Sequence, residues 1–293
     1  MIRIGMIGVM GHGYAFTPII NGYDAEKADA AKFWKPRLRL EGAKIVKVWD
    51  PNREKAENLA KICFIDKVCS SAEEVAEDVD AIIIPDKTPY PSDHQKRAFP
   101  LLDKGIPLFI DKPLSNDYEE ARQIVTMAQE NNTPIMSCSA LRYARELEEA
   151  SAEIETIKPI MTASVFGPGD LVYYGVHPLE LCYTVMGPGV ESVYNVGKEG
   201  KSIVRITYKD GRTMVLQVFK ETCHVFHLNL YGKRGCKTIL VEDGDYFYWN
   251  MLNHFLGMAK ERKQPIPSEE ILEIIKILMS AKKSLETGKE IVL

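Results

Sequence analysis

The sequence has no Cys-x-x-Cys pair, no run of like charge and no long apolar stretch, and each absence removes a class of function. Its six cysteines (Cys63, Cys69, Cys138, Cys182, Cys223 and Cys236) are scattered along 293 residues. Neither a zinc ribbon nor a disulfide framework is indicated, and reduced thiols in a cytoplasm fit best. Formal net charge is −4 and the isoelectric point lies near 6.0, with Lys and Arg interspersed among Asp and Glu. That balance argues against nucleic acid or an anionic membrane as the main partner. No run approaches the ~20 apolar residues of a membrane span. The opening Met1–Gly8 turns glycine-rich too soon for a secretory signal, so a soluble cytoplasmic protein is expected.

What is present is a change of rhythm. Short apolar runs at Ile2–Val9, Ile45–Trp49, Ala81–Ile84, Pro107–Ile110 and Pro134–Ser137 alternate with helical patterns such as Gln95–Leu102 and Tyr118–Glu130. Strands that alternate with helices predict an α/β Rossmann domain, a doubly wound parallel sheet, over residues 1–140. Beyond it, Ile160–Phe166, Val190–Val196, Ser202–Tyr208, Thr213–Phe219, Val225–Tyr231 and Thr238–Val241 follow one another through turn signals such as Lys209-Asp210-Gly211. Residues 141–293 are therefore expected to form an α+β domain with an open, largely antiparallel sheet, closed by helices at Tyr246–Lys260 and Ser268–Leu285. A sheet with one open face favours pairing, so a homodimer or homotetramer is expected.

Glycines punctuate the first strand-to-helix turn, where backbone N–H groups and the helix dipole receive a pyrophosphate. Aligned to Gly-x-Gly-x-x-Gly, Gly8 takes the first place and Gly13 the third, while Met10 holds the second and Gly11 falls beside it. Gly8, Met10, Gly11, His12 and Gly13 are the candidate phosphate contacts, and Pro85, after the strand candidate Ala81–Ile84, joins the cofactor-binding set. Asp50 ends the second apolar run, the place of the acid that receives ribose hydroxyls, so NAD is preferred. Arg53 nearby leaves NADP possible. The interval from Gly13 to Asp50 exceeds the usual ~20 residues, and residues 21–40, with Phe33, Trp34 and Pro36, read as an insertion that folds over the cofactor, forms a partner contact or is a surface excursion pinned by one aromatic.

The glycine turn, Asp50, His94 before a helix, Asp111-Lys112-Pro113 and Gly175-Val176-His177 together resemble the Gfo/Idh/MocA family of nicotinamide-dependent oxidoreductases. The likeness extends to Phe255-Leu256-Gly257 and Ser284-Leu285-Glu286-Thr287-Gly288 near the end. It implies oxidation of a secondary hydroxyl of a sugar, cyclitol or related polyol. Lys112 matches the lysine of the family's Glu-Lys-Pro motif, with Asp111 in place of the glutamate, and His177 matches the histidine that faces the reacting hydroxyl. Glu180 replaces a common aspartate. Tyr173 stands where many dehydrogenases of the family carry an aspartate.

The residue chemistry agrees with that implication. Alcohol oxidation needs a base for the hydroxyl proton, and an imidazole titrates near the working pH, which suits His177. An ammonium beside the substrate oxygen stabilises developing alkoxide, which suits Lys112. Tyr173 is a candidate proton relay, and Arg142, Tyr143 and Tyr174 are candidate substrate contacts. Each also has an ordinary structural reading: His177 as a capping or core histidine ahead of Pro178, in a turn that opens the helix Leu179–Met186, and the tyrosines as packed rings. Cys223, His224 and His227 do not suggest a metal, because on a strand His224 and His227 point to opposite faces. Two alternatives stay open: an NAD-retaining glycoside hydrolase or lyase that works by transient oxidation and elimination, and a non-catalytic NAD and sugar sensor. Specificity is expected from the loops Pro89–His94, Arg142–Tyr143 and Phe166–Tyr174.

Overall fold

The computed structural model describes residues 1–85 and 92–293, without the side chains of residues 92 and 93. Residues 89–91 of the first specificity loop thus lie outside the described residues. The chain divides into two compact units. The first comprises residues 1–115, 119–137 and 248–267, and the second residues 116–118, 138–247 and 268–293. Against the two continuous segments expected, 1–140 and 141–293, the residues Tyr248–Pro267 return to the first unit. The apolar pattern of the helix Gly244–Glu261 carries no mark of which core receives it.

In the first unit β1 (Ile2–Ile7), β2 (Ala43–Trp49), β3 (Lys67–Val68), β4 (Ala81–Ile84), β5 (Leu108–Ile110) and β6 (Ile135–Met136) pair in parallel in the order β3-β2-β1-β4-β5-β6. Helices cover both faces of such a sheet, which is why β4 reads Ala-Ile-Ile-Ile with every residue at 0% exposure. This order reverses between β1 and β4, and ligands of doubly wound sheets bind outside the carboxyl ends of the strands near that reversal. Gly8, Asp50, Pro85 and Asp111 each follow a strand at that same edge. β1 stops at Ile7, short of the expected Val9, because Gly8 turns the backbone to φ +95°. The helix Ser92–Ala98 ends earlier than the expected Leu102 and passes into a 3₁₀ turn, Phe99–Leu101, around Pro100.

The second unit holds β7 (Ile160–Pro168), β8 (Val190–Asn195), β9 (Lys201–Tyr208), β10 (Thr213–Phe219), β11 (Phe226–Gly232), β12 (Gly235–Val241) and β13 (Ile291–Val292), in the order β12-β11-β7-β10-β9-β8-β13. One pair, β7 with β10, is parallel, and the other pairs are antiparallel. Alternate residues of β9 and β10 are buried, so Val204, Ile206, Leu216 and Val218 form one core with Leu179 and Leu278 from the helices Val176–Met186 and Ser268–Thr287. Ile203, Tyr231 and Leu240 lie on the solvent-facing side. No helix among the described residues is long and apolar enough to cross a membrane.

Candidate functional site

The glycine turn of the first unit is tied to the end of β2. Gly8 N–H donates to Trp49 O at 2.7 Å, Val9 N–H to Asp50 Oδ2 at 3.0 Å and Asn52 N–H to Asp50 Oδ1 at 2.8 Å. Asp50 is buried and holds the turn, and each of its oxygens keeps a further acceptor position for a hydroxyl. Gly11 (φ 60°) precedes the helix His12–Asn21, whose first turn has no side-chain cap and no acid to compete with an anion. A Cβ on Gly13 would sit 3.3 Å from Pro85 Cγ and 3.5 Å from Met6 Sδ, so the missing side chain lets β1 and β4 close beneath the turn. Met10 is exposed, its sulfur 3.2 Å from Lys55 Nζ. Arg53 is also exposed and engages Glu57 along its own helix at 2.7 Å.

Residues 21–40 fold back within the same unit. Asp24 caps the helix Ala25–Ala30, the Phe33 ring meets Tyr14 edge-on with centroids 5.5 Å apart, Trp34 meets Tyr248 at 5.9 Å, and Trp249 Nε1–H donates to Arg39 O. The insertion is thus fastened to the returning helix.

At the end of β5, Asp111 and Lys112 are 1% and 3% exposed. His12 Nδ1 lies 2.8 and 2.9 Å from the two Asp111 oxygens, and Tyr248 Oη lies 3.3 Å from its Nε2. Burial pushes the Asp111 carboxyl up, but the charge and hydrogen bond of His12, with Lys112 and His94 nearby, outweigh it and hold the group below the usual carboxylate range. His94 Nδ1–H donates to Pro113 O and Leu114 O at 3.1 and 3.3 Å, fixing the segment after the lysine.

The second unit organises a different group. Gly175 is tightly enclosed, since a Cβ there would lie 2.1 Å from Leu171 O, and the turn it closes delivers His177 into the first turn of the helix Val176–Met186. That helix begins three residues before the expected Leu179, because Pro178 lies in the first turn, where its missing N–H costs nothing. His177 Nδ1 is 2.8 Å from Ser139 Oγ. Its ring meets Tyr174 at 5.6 Å and Phe226 at 5.7 Å between centroids, and Tyr173 meets Tyr174 at 5.7 Å. Tyr173 is thereby placed one ring away from His177.

Arg142, expected at substrate, is a clamp: Nε donates to Glu180 Oε2, and Nη2 donates to Glu270 at 3.2 Å. Burial raises the Glu180 carboxyl above its ordinary range, against the opposing pull of Arg142 and of the Ser139 N–H. Burial also raises the neighbouring Tyr143 phenol, which stays a neutral donor. Among the described residues no group of three or more His, Cys, Asp or Glu side chains could hold a metal, and Cys223 is exposed. The partners Ser139, Tyr248 and Glu270 are absent from the sequence reading. Ser139 caps the turn Ala140–Tyr143, a serine's ordinary local role that does not announce His177, and the other two carry no local signal.

Residues 2–138 match the GFO_IDH_MocA family model, an oxidoreductase family with an NAD-binding Rossmann fold. The protein named "Putative oxidoreductase YceM" of Salmonella typhimurium is 28% identical over 148 residues, 48% of this chain and 47% of that protein, so the chain spans about half the length of the curated relative it matches. Among solved structures, a "probable dehydrogenase" from Thermotoga maritima has a TM-score of 0.83 at 15% identity, over 99% of this chain and 98% of that one. The myo-inositol dehydrogenase of Lactobacillus casei, solved with NAD(H) and myo-inositol, has a TM-score of 0.81 at 15% identity, over 100% and 97% of the two chains. At these identities the likeness is one of fold. The strand order of the first unit is that of a doubly wound Rossmann sheet, the fold that the matched family model describes.

Proposed function

We propose, from the match of residues 2–138 to the Gfo/Idh/MocA oxidoreductase family model, that the chain is an NAD-dependent dehydrogenase of a secondary hydroxyl on a sugar, cyclitol or related polyol. The observation that carries this reading is the buried Asp111–Lys112 pair at the carboxyl end of β5, on the same sheet edge as the glycine turn and Asp50. The name of the L. casei relative, a myo-inositol dehydrogenase, supports a cyclitol within that class.

NAD, when bound, would supply the hydride acceptor for oxidation of the carbinol carbon. The residues of the chain do the rest. Asp50 accepts the ribose hydroxyls and repels a 2′-phosphate. The turn Gly8–Gly13, with Met10, Gly11 and His12, receives the pyrophosphate at the uncapped helix start, and Pro85 closes the floor under Gly13. Lys112 donates to the substrate oxygen and stabilises the alkoxide as it forms. His177 accepts the hydroxyl proton at Nε2. Tyr174 and Tyr143 line the substrate, Tyr173 serves as a donor behind Tyr174, and Arg142 shapes the wall through Glu180. We place the protein in the cytoplasm, as a homodimer or homotetramer paired through the open face of the second sheet.

The test is reduction of added NAD by a panel of cyclitols and sugars, followed at 340 nm. Turnover with at least one polyol, lost in Lys112→Ala, is expected. Cofactor binding without turnover of any polyol would overturn the reading. Release of an aglycone from an aryl glycoside without net NADH would replace it with redox-neutral elimination.

A further inference from the structure

Ser139 is 0% exposed, and three interactions fix it. Its Oγ accepts Leu141 N–H at 3.2 Å, capping the short turn Ala140–Tyr143. Its own N–H donates to Glu180 Oε1 at 2.9 Å, and Glu180 is itself clamped by Arg142. The same Oγ lies 2.8 Å from His177 Nδ1. The hydroxyl is therefore held on one side by a capped turn and on the other by the helix that carries His177.

A hydroxyl has one hydrogen and two acceptor positions, and Leu141 N–H takes one acceptor position. Two arrangements with His177 remain. In one, Oγ–H donates to Nδ1, and the hydrogen of the neutral imidazole sits on Nε2, which then offers a donor. In the other, Nδ1–H donates to the second acceptor position, and Nε2 offers a lone pair. An ionised carboxylate at Nδ1 permits only the second, because it cannot donate. Proton abstraction by Nε2 also requires the second: the substrate O–H bond breaks, an Nε2–H bond forms, and the resulting imidazolium keeps its Nδ1–H on Ser139 Oγ.

We propose that Ser139 is the positioning residue of His177, a neutral hydroxyl that orients the imidazole through Nδ1 and pairs with it in either tautomer. The proposal rests on the reading of His177 as the proton acceptor. Ser139 also differs from a carboxylate partner in charge, because it brings none to Nδ1. Groups near His177 include the Tyr174 ring, with His224 behind it at 6.4 Å between rings, and the Phe226 ring; Glu180, paired with Arg142, follows three residues on along its own helix.

Long-range ¹H–¹⁵N spectra of the full-length protein resolve imidazole nitrogens, and loss of one set among the six histidines in His177→Gln assigns that ring. In Ser139→Ala the His177 Nδ1 resonance is expected to move and the tautomer ratio to change, while Ser139→Thr, which keeps the hydroxyl, restores both. In polyol-dependent NAD reduction, Ser139→Ala is expected to lower kcat by about tenfold to a hundredfold, the scale for loss of a residue that orients a functional histidine. KM should change less, the acid limb of the pH profile should move, and Thr should recover most of the rate. Should Ser139→Ala fail to fold, the wild-type Nδ1 shift carries the test: a value for a hydrogen-bonded nitrogen supports the pair, and a value for an unbonded one overturns it. An unchanged His177 spectrum and pH profile in folded Ser139→Ala would also overturn it. A moved spectrum in a protein that turns over no polyol would sustain the Ser139–His177 pair and retire the dehydrogenase reading instead.

Discussion

Asp111 in the first unit and Glu180 in the second are both almost fully buried, and each accepts a hydrogen bond from a basic side chain far away in sequence, His12 and Arg142 respectively. Their carboxyls nevertheless shift in opposite directions. Burial pushes both up. Around Asp111 three basic groups, His12, Lys112 and His94, outweigh it. Around Glu180 the fixed charge of Arg142 does not, and the like charge of Glu270 adds to the burial. The comparison teaches that the sum of charges around a buried acid decides its state, rather than the nominal strength of one partner. A cluster with more basic than acidic groups at a strand end suits an anionic ligand, whereas the Arg142 cluster, with two acids on one guanidinium, suits an anchor.

The sharpest way to break this comparison is to remove one reacting group from each unit. Lys112→Ala and His177→Gln are each expected to lower kcat on a responsive polyol by about 10²- to 10⁴-fold, measured by steady-state NADH formation. A loss confined to one of the two would show that a single unit supplies the chemistry.

The next effect is on stability. Glu180→Ala leaves the Arg142 guanidinium buried with only the more distant Glu270, and a loss of about 3–5 kcal/mol in denaturant unfolding is expected. Asp111→Ala removes the acceptor of the His12 hydrogen bond, and about 1–3 kcal/mol is expected. Equal losses would remove the distinction between anchor and ligand site.

Smaller again is the cofactor effect. Asp50→Ala removes a charged acceptor for ribose hydroxyls and is expected to weaken NADH binding by about 1.5–3 kcal/mol, read as the change in Kd by fluorescence titration. Arg53→Ala, which removes an exposed side chain paired along its own helix, is expected to leave that Kd nearly unchanged.

The smallest effect concerns pH, and here the two acids should differ in sign. Asp111 is depressed, so its stabilising contribution is present above the unfolded value of ~3.9 and is lost as pH falls through the lower folded value. Glu180 is raised, so the native state keeps a proton that the unfolded chain releases, and stability declines as pH rises from ~4.3 toward the folded value. In melts from about pH 2.5 to 7, the Tm advantage of wild type over Asp111→Asn should grow with pH, and that over Glu180→Gln should shrink. Slopes of one sign would refute the contrast.

Much of the first unit was legible because its signals are local. Continuous apolar runs mark strands covered on both faces, a glycine with φ +95° marks the turn after the first, and Asp50 and Lys112 follow their strands by a fixed rule of the parallel sheet. Other features lacked any local signature. The two-residue strands β3 and β13 are too short for a period to show. The parallel pairing of β7 with β10 depends on sheet order, since both strands alternate as an antiparallel strand would. Arg142 looked like a substrate ligand because nothing near it in sequence announces Glu270.

What the sequence by itself determined is the succession of elements and the kinds of group at strand ends: an acid after β2, an acid and a lysine after β5, a histidine opening a helix. Hydrophobic period and glycine placement act over a few residues, and a few residues suffice to read them. Only the tertiary structure decided which groups meet. His12 with Asp111, Ser139 with His177, Arg142 with both Glu180 and Glu270, and Tyr248 with His12 are pairings across long stretches of chain. Such pairings depend on strand order and on helix docking, where burial makes an unsatisfied polar group costly enough to select its partner.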